Sequence, residues 1–226
     1  MAERSVLVTG GTGGLGGAVT AAFVAAGWRV VVADRHPTGP GDGPTVVTVD
    51  LTDPAGADRA VAVAAGDPGA PLRAVVNLVG GYASGGLVHE TPVEDFDRML
   101  TLNLRPTYLV TRAALPALTA AGGGAVVCVS ARAALAPFPG VAGYVTAKAA
   151  VLAFANAVAV EYRHAGVRCN TVLPSVIDTP ANRAAQPDAD HGRWVDPAEI
   201  ASVVRFLAGD ESAPTSGAAV PVYGRA

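Results

Sequence analysis

The sequence is short of cysteine, of charge and of long apolar runs, and each shortage excludes a class of protein. Its 226 residues contain only Cys128 and Cys169, so we expect neither a disulfide framework nor a metal site. Charged residues make up 15 % and the net charge is −3, which favours neither a nucleic-acid nor an anionic membrane partner. No uninterrupted apolar run reaches the ~18 residues that span a bilayer, and no signal peptide is recognisable. We therefore expect a cytoplasmic protein with reduced cysteines.

Lysine is also scarce. Of the 16 basic residues 15 are arginine, and Lys148 is the only lysine. Because arginine serves at every other basic position, this exception calls for a chemical reason.

What the sequence does contain is a regular alternation of apolar strands and helices. Half of the residues are hydrophobic, which suits a sheet covered on both faces. The pattern predicts an α/β fold: one Rossmann-type domain over 1–226, with a doubly wound parallel sheet of about seven strands. Strands are expected at 5–8, 29–34, 45–49, 73–79, 125–130, 167–173 and 218–222. Helices are expected at 18–27, 54–65, 95–119 (bent near Pro106), 144–164 and 197–208, with a Gly/Pro loop at 37–44 and a substrate lid at 178–195.

A glycine-rich loop between the first strand and the first helix predicts a dinucleotide site. The segment reads Thr-Gly-Gly-Thr-Gly-Gly-Leu-Gly over residues 9–16. Glycines let the backbone approach a pyrophosphate, whose charge is met by the free N–H groups of the helix start. Two glycine registers fit the segment, Gly-x-Gly-x-x-Gly from 11 and Gly-x-x-x-Gly-x-Gly from 10.

The end of the second strand bears on the choice of cofactor. Asp34 follows the glycine loop by about 20 residues, where a carboxylate accepts hydrogen bonds from the adenosine ribose. It would also repel a 2′-phosphate, whereas Arg35 would attract one. We expect NAD(H) to be favoured, with NADP(H) as the alternative.

A tyrosine and the single lysine stand four residues apart on a predicted helix. Tyr144 and Lys148 therefore share one helix face. A nearby ammonium is expected to lower the phenol's pKa from its ordinary value near ~10, which would make Tyr144 a usable acid/base. A compact ammonium also fits where the broader guanidinium of arginine does not. This requirement explains the lone lysine.

Together with Asn103 and Ser130, these motifs resemble the short-chain dehydrogenase/reductase family over essentially the whole chain. The resemblance implies a nicotinamide-dependent oxidoreductase acting on an alcohol/carbonyl pair, a small-molecule substrate, and homodimers or homotetramers. It implies a catalytic set of Asn103, Ser130, Tyr144 and Lys148, in which Ser130 orients the substrate and Asn103 supports a proton-relay water. It implies cofactor contacts from Gly10, Thr12, Gly14, Leu15, Gly16, Asp34, Arg35, Asp50, Leu51, Asn77, Val79, Tyr144, Lys148, Ile177 and Thr179.

Three departures from the family pattern border the pocket. The usual Asn-Asn-Ala-Gly reads Asn-Leu-Val-Gly at 77–80, Ser175 replaces the glycine after Pro174, and the terminal Val-Asp-Gly reads Val-Tyr-Gly at 222–224. They leave the substrate specificity open.

Two alternatives stand beside this interpretation. Residues 79–83 and 178–194 are similar to dihydropteridine reductases, which reduce a quinonoid pterin with NADH. A non-catalytic dinucleotide sensor is the other, although a sensor would not need all four catalytic residues.

The helix that carries Tyr144 also predicts assembly. Apolar residues surround much of its circumference, and one sheet face cannot cover so broad a surface. They are Ala149, Val151, Phe154, Ala157, Val158 and Val160.

Overall fold

The computed structural model describes residues 3–36 and 43–225, so most of the predicted Gly/Pro loop, 37–42, lies outside the described residues. The strands are β1 Ser5–Thr9, β2 Arg29–Asp34, β3 Thr45–Thr48, β4 Leu72–Asn77, β5 Gly124–Val129, β6 Val167–Pro174 and β7 Ala219–Val222. The helices are α1 Gly14–Ala25, α2 Pro54–Ala65, α3 Val93–Asn103, α4 Arg105–Ala120, α5 Ala142–Glu161, α6 Pro180–Ala185 and α7 Pro197–Ala208.

All seven strands form one parallel sheet in the order β3-β2-β1-β4-β5-β6-β7. The order reverses between β1 and β4, and ligands of such sheets bind at the carboxyl ends of the strands beside this reversal. Thr9 ties the two strand exits together, because its hydroxyl accepts hydrogen bonds from the backbone N–H groups of Leu78 (3.0 Å) and Val79 (3.3 Å). The predicted doubly wound sheet is confirmed.

Alternate side chains of the strands point to opposite faces of the sheet and pack in two apolar layers. One face of the sheet packs on α2, α4 and α5, and the other packs on α1 and α7. Cys128 and Cys169 are both buried in the first layer as free thiols. The sheet thereby holds the carboxyl ends of its strands, and the loops that follow them, in fixed positions.

The structure differs from the sequence prediction most at the first helix and at the helix predicted over 95–119; α5 is also shifted from 144–164 to Ala142–Glu161, and α6 lies within the predicted lid. The first begins at Gly14 rather than 18, because glycines there allow the helix to lie against β1: a Cβ at Gly16 would come 2.0 Å from the carbonyl oxygen of Gly10. The predicted single helix over 95–119 is two helices that meet at Leu104. Pro106 lacks the N–H that would continue the hydrogen-bond ladder. Asn103 consequently closes α3 instead of lying in mid-helix.

The expectation from apolar runs needs one correction. By length and composition α5 is long and apolar enough to cross a membrane. In this fold it packs against β6 and α3 and carries the buried Lys148, as the core helix of an α/β sheet does.

Candidate active site

The glycine loop forms an open cradle at the start of α1. Gly10 has φ +68°, a conformation that favours glycine, and its backbone carbonyl accepts a hydrogen bond from the N–H of Gly13 (3.2 Å). Gly13 caps α1 without any side-chain hydrogen bond, so the first N–H groups of the helix are not covered by a cap. Such N–H groups, at the positive end of the helix dipole, suit a phosphate.

Asp34 is held at the mouth of this cradle. Its carboxylate accepts hydrogen bonds from the Thr12 hydroxyl (2.7 Å), the Thr12 N–H (3.3 Å) and the His36 N–H (3.2 Å). Partial burial acts to raise the pKa of Asp34, but these hydrogen bonds outweigh it and hold the pKa below its ordinary value. Asp34 is therefore an anion at neutral pH, with lone pairs left for hydroxyl donors.

A second carboxylate, Asp50, follows β3 on the same edge. It accepts from the N–H (2.8 Å) and the hydroxyl (2.7 Å) of Thr52, which lower its pKa, and the charge of Arg35 adds to this lowering. The positive charge that could attract a 2′-phosphate thus also acts on a carboxylate of the protein.

These groups line a cavity of about 300 Å³ at the switch point of the sheet. Most of the predicted cofactor contacts lie on its wall: Gly10, Thr12, Leu15, Gly16, Asp34, Arg35, Asp50, Leu51 and Val79. The glycine cradle, the uncapped helix start and the Asp34 carboxylate on this wall fit a nicotinamide dinucleotide.

The remaining predicted contacts lie elsewhere. Asn77 is buried in β4, where its amide donates to Thr111 Oγ1 (3.0 Å) and its carbonyl oxygen has no partner within the described residues. Gly14 lies under Thr179, since a Cβ at Gly14 would come 2.8 Å from the Thr179 methyl carbon. Ile177 forms a parallel bridge with Val195.

The predicted catalytic pair lies on α5, beside the carboxyl end of β5. The Lys148 ammonium is buried, donates to the backbone carbonyl of Val129 (3.1 Å) and lies 5.9 Å from the centre of the Tyr144 ring. The Ser130 hydroxyl donates to the backbone carbonyl of Lys148 (2.7 Å). Because a carbonyl only accepts, the single proton of Ser130 is engaged there, and it must leave this bond to polarise a substrate oxygen.

The pKa values in the structure differ from the expectation that Lys148 lowers that of Tyr144. Burial, with a contribution from the neighbouring Tyr82, raises the pKa of Tyr144 to about 12. Burial likewise lowers the pKa of Lys148 to about 8, a shift that Cys128 partly opposes. The expected lowering of the Tyr144 pKa is therefore wrong for this geometry, in which the ammonium faces Val129. Tyr144 is fully protonated at neutral pH and suited to donate a proton.

Asn103 lies near the Tyr144–Lys148 pair, because its side chain and that of Lys148 both border Gly80. Its amide donates to the carbonyl of Met99 (3.0 Å), and its side-chain oxygen accepts from the N–H of Gly81 (3.1 Å). A Cβ at Gly80 would come 2.6 Å from Asn103 Oδ1 and 3.1 Å from Lys148 Nζ, so both polar groups crowd around this residue. The structure thus brings all four predicted catalytic residues to the carboxyl ends of β4 and β5.

The predicted lid begins on the glycine loop and returns to the sheet. Thr179 caps α6 by accepting from the N–H of Asn182 (3.2 Å), and Asp178 pairs with Arg183 (Oδ2 to Nη2, 2.7 Å). Near the end of the segment the rings of His191 and Trp194 contact each other at a tilt of 52°, with their centres 4.4 Å apart.

Several residues on the cavity wall were not predicted from the sequence. His36 and Thr52 could have been found, because each lies two residues after a predicted aspartate. The others carried no polar signal. They are Gly13, Val49, Leu78, Gly80, Leu102 and Pro106.

Comparison with known proteins agrees with this geometry. Residues 4–190 match the family model described as short chain dehydrogenase. The 2-(R)-hydroxypropyl-CoM dehydrogenase of Xanthobacter autotrophicus is 33 % identical over 98 % of this chain and 98 % of its own. A short-chain type dehydrogenase/reductase from Mycobacterium ulcerans superposes with a TM-score of 0.91 at 27 % identity, covering 100 % of this chain and 90 % of that chain. ElxO with NADP bound shares the fold (TM-score 0.90, 24 % identity, 98 % of each chain).

Proposed function

The chain belongs to the short-chain dehydrogenase family and is a nicotinamide-dependent oxidoreductase, and we propose that it prefers NAD(H) and uses Tyr144 as its acid/base. When bound, the nicotinamide supplies or accepts the hydride. The observation that carries the catalytic assignment is the convergence of Asn103, Ser130, Tyr144 and Lys148 at one edge of the sheet, with Gly80 packed between Asn103 and Lys148.

In the reducing direction, Tyr144 donates its proton to the carbonyl oxygen as negative charge develops there. Ser130 turns its hydroxyl from the Lys148 carbonyl towards that oxygen. Lys148, whose ammonium donates to the Val129 carbonyl and lies 5.9 Å from the centre of the Tyr144 ring, holds the ribose hydroxyls of the cofactor. The Asn103 carboxamide, fixed by Met99 and Gly81, supports the water through which Tyr144 recovers its proton.

The preference for NAD(H) rests on Asp34. A charged carboxylate on the cavity wall attracts ribose hydroxyls and repels a 2′-phosphate. The NADP bound to ElxO belongs to a protein at 24 % identity, which establishes the fold alone.

Further proposals concern the assembly and the compartment. On α5, Val151 and Val158 face the sheet, whereas Ala149, Ala157 and Val160 are exposed. Beside them Tyr108 of α4 meets Phe154 edge to face at 5.8 Å. We propose that copies of the chain pair through this α4–α5 surface, as a dimer or as part of a tetramer. Two buried free thiols support a reducing compartment such as the cytoplasm.

Turnover of NADH and NADPH with a panel of carbonyl compounds, and with a quinonoid dihydropterin, tests the function. We expect reduction of a carbonyl compound and a higher kcat/KM with NADH, and we expect Asp34→Ala to narrow the difference between the cofactors. A higher kcat/KM with NADPH than with NADH in the unaltered protein would contradict the proposed preference for NAD(H). Reduction of the dihydropterin alone would favour the pterin alternative, which the similarity of residues 178–194 suggests.

A further inference from the structure

A partly buried arginine, Arg132, closely follows the catalytic Ser130 in the chain without belonging to the catalytic set. Arg132 stands two residues after Ser130 and opens a single 3-10 turn, Arg132–Ala134, that packs against α5. The intervening Ala131 is extended (φ −158°, ψ 153°) and buried. Because neighbouring Cα atoms are about 3.8 Å apart, the Cα atoms of Ser130 and Arg132 are separated by at most about 7.5 Å. The Arg132 side chain is long enough to reach a molecule that touches Ser130.

The ring of Tyr223 holds this guanidinium in place. Arg132 Cζ lies 5.0 Å from the ring centre. Tyr223 is itself fixed, since its backbone carbonyl accepts a hydrogen bond from the Ser175 hydroxyl (2.8 Å). The next residue, Gly224, packs on the end of the lid: a Cβ there would lie 3.1 Å from Val195 Cγ2. The guanidinium therefore lies where the exits of β5, β6 and β7 meet the lid.

A cation–π contact with the ring uses no hydrogen bond, so the five N–H donors of the guanidinium remain available. Within residues 3–36 and 43–225, Arg132 makes no side-chain hydrogen bond and no ion pair. The arginines that do so are other residues. Arg132 thus presents a partly buried charge that no described carboxylate neutralises. Such a charge is stabilised when an anion binds it.

We propose that Arg132 is a specificity-determining residue that binds a carboxylate of the substrate, so that the carbonyl compound reduced here is an oxo acid. The planar fork of a guanidinium matches a carboxylate through two parallel hydrogen bonds. The inference rests on the proposed function, because Ser130 and Tyr144 must hold the carbonyl oxygen while Arg132 holds the acid group.

Acetoacetate, 4-oxopentanoate and 5-oxohexanoate, each beside its methyl ester, test the assignment at three spacings. We expect the best acid to exceed its ester at least ~10-fold in kcat/KM. Arg132→Leu should lower the value for the acid by roughly 10- to 100-fold, as loss of a charged hydrogen-bond pair does. The value for the ester should change less than about threefold. Arg132→Lys should recover part of the loss.

A matched control and a second measurement separate this role from a structural one. Arg163 also opens a three-residue 3-10 turn, but before β6 at the opposite edge of the sheet, so Arg163→Leu should leave both substrates unaffected. Calorimetry follows binding of the same acid to enzyme saturated with NAD⁺, a complex that cannot react. Arg132→Leu, or Arg132→Gln if the leucine variant does not fold, should weaken this binding as much as it lowers kcat/KM.

The outcomes distinguish the two proposals. Equal use of acids and esters by the unaltered protein, or equal losses for both in Arg132→Leu, overturns the role of Arg132 and leaves the proposed function standing. Absence of turnover, with acid binding that depends on Arg132, overturns the proposed function and supports the carboxylate site. An acid that neither binds nor reacts overturns the assignment of Arg132.

Discussion

The rings of Tyr82 and Tyr144 meet edge to face, with their centres 5.1 Å apart and their planes at 81°. Tyr82 comes from the loop after β4, which is fixed by the hydrogen bond from Gly81 to Asn103 and by one from Gly85 to the carbonyl of Gly140 (2.8 Å). Tyr82 is itself 58 % exposed, and through this ring contact it forms one wall beside the proposed acid/base.

Removal of the whole Tyr82 ring should affect kcat/KM and the Tyr144 pKa more than removal of the Tyr82 hydroxyl alone. Tyr82→Phe keeps the ring, and we expect kcat/KM within about threefold of the unaltered protein. Tyr82→Ala should lower kcat/KM by up to ~10-fold, since an aromatic pair contributes roughly 0.5–1.5 kcal/mol. It should also move the Tyr144 pKa down, because Tyr144 then gains solvent. Ultraviolet titration of the phenolate measures the shift, and an unchanged pKa in Tyr82→Ala would refute the argument.

Gly80→Ala should impair catalysis, because the space around Gly80 is already filled. The added methyl group meets Asn103 Oδ1, which is held by Gly81, and the buried Lys148 ammonium, which is held by Val129. Neither group can move without breaking a hydrogen bond. We expect at least a ~10-fold lower kcat, and also weaker NADH binding, because Gly80 lines the cofactor cavity and Lys148 is proposed to hold the ribose. Gly17→Ala is the matched control, because a Cβ there meets nothing within 4 Å. Equal kcat values for both variants would show that the crowding is unimportant.

The low pKa of Lys148 predicts a pH-dependent stability. In the folded chain the pKa is about 8, below the ordinary value of 10.5 that applies to the unfolded chain. Between these values the unfolded chain binds more protons, so stability rises with pH across that window. Lys148→Met lacks this titration. The stability of the unaltered protein relative to this variant should therefore rise by on the order of 3 kcal/mol between pH 8 and pH 10.5, since one pKa unit corresponds to ~1.4 kcal/mol.

Denaturant unfolding of both proteins at several pH values measures this difference. The stability of the unaltered protein relative to Lys148→Met should rise steadily between pH 8 and 10.5. A difference that stays constant across the window would mean that Lys148 does not titrate there in the folded protein.

The proposed α4–α5 interface predicts that a charge on it separates the subunits. Ala153 is exposed on α5 between Ala149 and Ala157, so Ala153→Arg should shift the protein towards monomers in light scattering. Ala21→Arg, at an exposed position of α1, should not. A monomeric unaltered protein at micromolar concentration, or an unaffected Ala153→Arg, would exclude this interface.

Most of the fold could be predicted because local signals agreed with one another. The predicted ranges 54–65 and 197–208 agree with α2 and α7; each helix begins with a proline, and the Asp196 side chain caps α7. The early start of α1 could not be predicted, because glycine disfavours helices except where a close approach to β1 requires it. The break at Leu104 was placed correctly near Pro106 but was expected to be only a bend.

The site was predictable in its residues and less so in its contacts. Spacing located Tyr144 and Lys148 on one helix face, but only packing shows that Lys148 faces Val129 and that burial raises the pKa of Tyr144. Asn77 was expected at the cofactor, yet its side chain packs towards Thr111 of α4. A strand residue alternates between faces, and the register that decides this depends on neighbours distant in sequence.

The most direct test of the account is the turnover of Lys148→Arg with a true substrate, because arginine serves at every other basic position of the chain. Lys148 is buried, and its ammonium lies close to both Val129 and Gly80, which leaves no room for a guanidinium. We predict a loss of at least ~100-fold in kcat. The variant should fold, as judged by circular dichroism, and Tyr144→Phe should lose at least as much while still binding NADH. Near-normal turnover in Lys148→Arg would contradict the proposed roles of Lys148 and Tyr144.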